Sequence, residues 1–273
     1  MIKKVAAVHD LSGIGRCSLT VAMPILSALK VQCCPFPTAI LSSQTGYPEF
    51  TFLDFTEEMT TYYKTWKNLN VEFDTIYTGF LGSEHQVDIV TNFIKENSNS
   101  FVVVDPVLGD NGNLYPVFTD KMCNRIKNLV QLSQLTTPNL TEACFLTNRD
   151  YFNLSFNRDE LINIAKDVSS LGPDMVVITG IIENNKILNL SYDKKSEEVI
   201  FTDVEYNHCS YSGTGDIFTS IVTGLLTNGK NLSESVKIAT DFIYKSINYT
   251  KEFNTDRNDG VFFEMFLNDL TSI

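Results

Sequence analysis

An α/β fold, with a mostly parallel sheet between helical layers, is what the order of elements predicts, and three observations carry it. Short apolar runs of strand length alternate with amphipathic stretches of helix length along most of the chain. The run Phe101-Val102-Val103-Val104 is apolar throughout, as a strand buried on both faces must be, and it ends in Asp105-Pro106. With 273 residues, 43% of them hydrophobic, the chain can bury one large core, so residues 1–273 are expected to form a single domain.

Taken in order, residues 4–8 read as the first strand, and the glycine turn Ser12-Gly13-Ile14-Gly15 leads into a helix over 18–29. A strand over 32–40 follows. Pro35 and Pro37 lack the amide a central strand needs, which pushes this strand toward an edge. After a polar loop at 42–47, Glu57 and Glu58 mark the first turn of a helix over 56–69. Residues 73–77 are the next strand, and Ser83 is a good N-cap for a helix reaching 97. Beyond 101–104, helices are predicted over 120–132, 141–146 and 159–171, alternating with strands near Leu135 and over 175–179. The runs 187–192 and 198–204 read as a hairpin added to the sheet, and the last third is helical over 215–226, 232–249 and 261–270.

The formal charge of −12 repels polyanions, so nucleic acid and anionic membrane surfaces are excluded as partners. A small phosphorylated ligand remains open, because a few backbone N–H groups and one cation override the global field locally. The apolar run near the amino terminus is too short for a signal-peptide core or a membrane span, and a cytoplasmic location is the expectation. Six cysteines without C-x-x-C spacing read as reduced thiols, not as a zinc site or a disulfide framework.

The chemistry concentrates in Ser212-Gly213-Thr214-Gly215-Asp216-Ile217-Phe218, which follows a β region and opens an apolar helix. Two glycines let the backbone turn tightly and present successive N–H groups at a helix amino terminus, where phosphate charge is stabilised. Phosphoryl transfer needs an acceptor oxygen in line, a group to take its proton, and positive potential on the transferring oxygens. The segment offers the last two. Taken alone it is equally an ordinary turn whose aspartate complements the helix dipole, an effect worth about 0.3–1 kcal/mol.

Two further motifs decide between these readings: Asp105-Pro106-Val107-Leu108-Gly109-Asp110 and Thr137-Pro138-Asn139-Leu140-Thr141-Glu142. In this order and spacing the three resemble the ribokinase-like superfamily and, within it, the pyridoxal (vitamin B6) kinase family. The resemblance runs from Val5 through the helix after Asp216. It implies a three-layer α/β/α fold in which MgATP phosphorylates the 5'-hydroxymethyl group of a B6 vitamer. Asp216 would be the catalytic base, and the amides of Gly213, Thr214 and Gly215 the anion hole. Asp105, Asn139, Glu142 and Thr179 would bind ATP, with Asp105 and Glu142 reaching Mg2+ through water. For Asp105 and Glu142 the alternative is loop capping, and for Asn139 it is capping of the helix that starts at Leu140. On the acceptor side the resemblance implies His9, Asp10, Thr45, Gly46 and Phe80. It also implies a homodimer and leaves a monovalent cation open.

Departures from the family pattern fall on the acceptor side. Well-known members carry Gln-Ser-His where this chain has Val8-His9-Asp10, and Asn-His where it has Ser43-Gln44. A hydroxymethylpyrimidine kinase of thiamine synthesis is the near rival, since those enzymes have an Asp-x-Ser-Gly turn resembling Asp10-Leu11-Ser12-Gly13. They typically carry Cys at the place of Asp216. A nicotinamide-dependent oxidoreductase is the distant rival, suggested by the glycines at 13 and 15. The segment 11–48 holds no Asp or Glu for the ribose, which argues against it, and no P-loop pattern occurs.

Overall fold

The computed structural model describes residues 2–115 and 118–273. β1 (Lys4–Ser12) leads through α1 (Ser18–Ala28) to β2 (Gln32–Leu41), followed by β3 (Phe52–Asp54), α2 (Thr56–Asn68), β4 (Thr75–Thr78), α3 (Glu84–Glu96) and β5 (Phe101–Val104). A small hairpin, β6 (Gly109–Asp110) and β7 (Asn113–Leu114), precedes α4 (Asp120–Val130), β8 (Leu135–Thr136), α5 (Leu140–Thr147) and α6 (Arg158–Leu171). β9 (Met175–Glu183), β10 (Lys186–Asp193) and β11 (Glu198–Glu205) then lead to α7 (Thr214–Thr227), α8 (Leu232–Thr250) and α9 (Leu267–Thr271).

One nine-stranded sheet runs β11-β10-β9-β8-β5-β4-β1-β2-β3. Its six central strands, β9 through β2, pair in parallel, whereas β10, β11 and β3 join antiparallel. Alternation along each strand divides the apolar side chains between two cores. Ala6, Val8, Ile76, Val102 and Val104 face α2 to α6, while Val5, Ala7, Tyr77 and Val103 face α1, α7, α8 and α9. Each fully buried aliphatic side chain contributes about 1.5–3 kcal/mol, so the sheet is held from both faces. The three-layer α/β/α expectation holds.

The chain winds away from β1 in both directions, to β2 on one side and to β4, β5, β8 and β9 on the other. The carboxyl ends of β1 and β4 therefore flank the point where strand order reverses, the usual crevice of an open α/β sheet. The prolines of β2 sit as expected: β3 covers only Ala39, Ile40 and Leu41, and the half with Pro35 and Pro37 is an edge.

Several features differ from the sequence reading, among them β3, which falls where no strand was expected. β1 continues past Val8 to Ser12, because Leu11 and Ser12 still pair with Ile40 and Leu41 after an irregularity at His9. The hairpin β6–β7 was not expected, although Asn111-Gly112, with φ of 51° and 78°, is the pair a tight two-residue turn requires. The terminal helix begins late. Gly260 has φ 73° and the Phe262 amide donates to Thr250 Oγ1 at 2.8 Å, so the chain passes through a 3-10 turn at Phe263–Phe266 before α9.

Candidate active site

Asp216 lies in the first turn of α7, with a side chain 16% exposed. The helix opens without a side-chain cap, unlike α3, α4, α5, α6 and α8, which Ser83, Thr119, Asn139, Asn157 and Asn231 cap. The turn before it can be built only with glycine at 213. Gly213 has φ 78°, and a Cβ there would stand 1.8 Å from the Arg16 carbonyl oxygen. At Gly215, which is exposed, a Cβ would meet nothing within 4 Å, so the backbone borders open space. An uncapped helix amino terminus beside open space suits an anion.

Burial, and behind it the charge of Asp10, pushes the Asp216 carboxyl up to about 7, although the Ser18 amide donates to Oδ2 at 2.9 Å. A carboxylate poised near neutrality has the affinity a general base needs. Ser18 itself has φ 50°, a strained value for a residue with a side chain. Its hydroxyl donates to Asp10 Oδ1 at 2.5 Å, and the Ser12 hydroxyl donates to Asp10 Oδ2 at 2.7 Å. Asp10 thus spends both oxygens on the chain itself and is 7% exposed.

Two more acids close on the same edge. Asp105 follows β5, is 8% exposed, and accepts from Thr219 Oγ1 of α7 at 3.4 Å. Burial, then Glu142 and Asp216, holds its carboxyl well above the usual range. Glu142 forms a capping box with Asn139: the Asn139 amide donates to Oε2 at 2.8 Å, and Asn139 Oδ1 accepts from the Glu142 amide at 2.9 Å. Its Oε1 accepts from the Leu108 amide at 3.0 Å, while burial pushes the group up to about 7. Capping and charge coexist here. Among the described residues no cluster of three or more metal-binding side chains occurs. A pair of buried carboxylates, both held above their ordinary range and one of them raised by the other, suits a hydrated divalent cation that keeps its waters and borrows phosphate oxygens. Asp105 is the better placed of the two, because both Glu142 oxygens already serve amides.

The other expected residues separate. Thr179 ends the parallel part of β9 and bridges to Asn139, whose Nδ2 donates to the Gly109 carbonyl at 2.8 Å. Thr45 and Gly46 lie on an exposed loop, and Phe80 is half-buried against Phe118, with ring centroids 5.9 Å apart. His9 is not on the open surface at all. Strand alternation turns it onto the α7 face beside Tyr77, where it has no exposed area. In the glycine turn after β1 the Gly13 and Ile14 amides are already spent on the Leu41 and Ser42 carbonyls, at 2.9 and 3.1 Å, and are not free to hold the phosphates of a dinucleotide.

Sequence reading missed three contributors. Tyr115, just after the hairpin, is 41% exposed, and its hydroxyl is raised by partial desolvation and by the charges of Glu142, Asp110, Asp105 and Asp216. The Asn111-Gly112 turn was the available signal for it. Arg257 and Asn258 tie the site together: the Arg257 carbonyl accepts from the Ser212 amide at 3.0 Å, and Asn258 Nδ2 donates to the Gly46 carbonyl at 3.0 Å. No local pattern marks a contact so distant in sequence.

The family described as phosphomethylpyrimidine kinase matches residues 26–261. The chain belongs to that family. Its fold is ribokinase-like, for it superposes on the crystal structure of pyridoxal kinase from Lactobacillus plantarum with TM-score 0.92 and 26% identity, covering 100% of this chain and 98% of that one. A family member from Bacteroides thetaiotaomicron, provisionally called a phosphomethylpyrimidine kinase and crystallised with pyridoxal, is 42% identical with TM-score 0.94, covering 99% of this chain and 96% of that one. Pyridoxine kinase from Bacillus subtilis (strain 168) is 32% identical over 182 residues, so the match spans 64% of the length of each chain. Among the described residues no helix is long and apolar enough to cross a membrane.

Proposed function

We propose that this chain is an ATP-dependent kinase of a B6 vitamer, transferring the γ-phosphoryl group to the 5'-hydroxymethyl oxygen. The observation that carries the reading is Asp216, half-buried at the strand-reversal crevice, raised to about 7, and set in an uncapped helix terminus. In the proposed step the Asp216 carboxylate takes the hydroxyl proton as the alcohol oxygen attacks the γ-phosphorus and the bond to ADP breaks. The amides of Gly213, Thr214 and Gly215 would receive the negative charge of the transferring group.

The remaining parts of the reading follow from their positions. Asp105 and Asn139, with Thr179 beside them, would face the nucleotide phosphates. Asp105, helped by the charge of Glu142, would hold Mg2+ through water, and bound Mg2+ would neutralise phosphate charge. Asp10, Thr45, Gly46 and Phe80 would bound the acceptor alcohol. The pyridoxal bound to the Bacteroides thetaiotaomicron protein supports a B6 vitamer as that alcohol. A homodimer, a cytoplasmic location and a single catalytic domain belong to the same proposal, which leaves a monovalent cation open.

A hydroxymethylpyrimidine kinase is the second reading, favoured by the family description and by the turn Asp10-Leu11-Ser12-Gly13. An ATP-coupled assay comparing kcat/KM for pyridoxal, pyridoxine, pyridoxamine and hydroxymethylpyrimidine separates the two. A B6 vitamer is expected to rank first. Preference for hydroxymethylpyrimidine would transfer the assignment to thiamine synthesis, and no turnover of any alcohol would end the kinase reading.

A further inference from the structure

Beside Asp216 the fold buries a histidine whose polar atoms are unsatisfied. His9 on β1 has no exposed area, and neither of its ring nitrogens has a hydrogen-bond partner among the described residues. Burying an unpaired polar group costs stability, so an apolar residue would serve the core better. The ring is nevertheless accommodated with care. Its edge meets Tyr77 with centroids 4.3 Å apart, and a Cβ on Gly79 would lie 2.3 Å from both Cε1 and Nδ1. Glycine at 79 is what leaves room for the imidazole.

The ring has a direction. Nδ1 stands 4.0 Å from Asp216 Oδ1. Because Oδ2 already accepts the Ser18 amide, Oδ1 is the oxygen left for proton transfer. Burial pushes the His9 pKa down to about 3, so the pair is a neutral ring beside a carboxyl group. A neutral imidazole carries one N–H, and the tautomer with that proton on Nδ1 presents a donor to Asp216.

We propose that His9 is a positioning residue for the base: Nδ1–H donates to Asp216 Oδ1 in the substrate-bound enzyme and fixes the carboxylate that receives the hydroxyl proton. The bond is open in this structure, and a closure of about 1 Å makes it. Hydrogen bonds of this kind tighten when substrate binds. The titratable groups facing Asp216 are His9 and Asp10 from β1, Cys17 at the start of α1, Tyr77 from β4, Asp105 after β5 and Tyr115 after β7. Asp10 raises the Asp216 pKa, so a donor on Oδ1 works against that push and favours the ionised base.

The inference rests on Asp216 as the base, and the experiment separates the two claims. The full chain is assayed with MgATP and its best alcohol from pH 5.5 to 9 as wild type, His9→Phe, His9→Asn, His9→Gln and Asp216→Asn, with thermal unfolding of each. His9→Asn places an amide N–H where Nδ1 stands, and His9→Gln reaches past it. His9→Phe and His9→Gln are expected to lose kcat about 10–100-fold, the range a misplaced catalytic group costs, with KM for ATP little changed. The acid limb of their kcat profile moves to higher pH, and His9→Asn retains the wild-type limb and most of kcat. A wild-type profile in His9→Phe overturns the proposal, as do equal losses in His9→Asn and His9→Gln, a comparison that holds even where His9→Phe does not fold. Normal turnover in Asp216→Asn would instead remove the base reading itself.

Discussion

The backbone amide of Ser18 donates to the carboxylate of Asp216 at 2.9 Å across 198 residues of chain. The start of α1 is thereby pinned to the start of α7. Because the Ser18 hydroxyl also donates to Asp10, one residue with φ 50° holds two acids of the site in fixed relation. The strain at Ser18 is local, and what it secures is the orientation of Asp216 over the crevice.

Ser18→Ala keeps the amide and deletes the hydroxyl, leaving Asp10 with Ser12 alone. A buried hydrogen bond to a carboxyl group lost in this way is expected to cost about 1–3 kcal/mol in urea unfolding. A change below about 0.5 kcal/mol, the size of an ordinary surface substitution, would mean that the Ser18–Asp10 contact does not stabilise the fold.

The two glycines of the turn should answer differently to alanine. Gly213→Ala must place a methyl 1.8 Å from the Arg16 carbonyl oxygen at φ 78°. Overlap and left-handed strain together predict a loss of about 2–4 kcal/mol. Gly215→Ala meets nothing within 4 Å and should fold as the wild type does. Its methyl borders the space assigned to phosphate, so a raised KM for ATP is expected with an unchanged melting temperature. Equal melting temperatures for both variants would contradict the close approach at 213.

Asp216→Asn preserves shape and removes the base. A loss of about 10²–10⁴-fold in kcat is expected, with the Kd for ATP measured by calorimetry unchanged. Retained kcat would transfer proton acceptance to another group.

Buried acids also give the ligand-free protein an unusual pH dependence. Glu142 and Asp216 are raised to about 7 and Asp105 is raised as well, against ordinary carboxyl values near 4 in the unfolded chain. Between these limits the three carboxyls bind more protons in the native state than in the unfolded state and lower stability as pH rises from about 4 to 7, while His9, pushed down to about 3, binds fewer and offsets one of them up to its ordinary value near 6.5, so the net stability still falls. The groups lowered by hydrogen-bond partners, Asp54, Asp74 and Glu160, act below that window. Melting temperature without ligand is therefore expected to be higher near pH 5 than near pH 8, by about 2–4 °C for each kcal/mol. MgATP should narrow the gap by supplying cation charge. A melting temperature that rises from pH 5 to 8 would mean that these carboxyls are ionised in the free protein.

Much of the fold was legible because hydrophobic period is a local property. Val102, Val103 and Val104 announce a buried parallel strand, and Ser83 and Asn139 announce helix starts. The Asp216 turn was legible for a similar reason, since its glycines, acid and following helix are consecutive. Less legible were elements whose existence depends on a partner. β3 is exposed throughout and is a strand only because β2 offers it three residues, and the expected helix over 261–270 yields where Thr250 takes the Phe262 amide.

The sequence by itself determined the alternation of strands and helices, the parallel sheet between two cores, and the identity of the residues that carry charge to its edge. Only the tertiary structure decided how those residues stand to one another: Asp10 spent on serine hydroxyls, Glu142 on two amides, His9 turned inward, and Asp216 left with one free oxygen. Side-chain period and helix signals are written over a few neighbouring residues. Burial, pKa and hydrogen-bond vacancy arise between segments brought together from opposite ends of the chain, and no short stretch of residues encodes them.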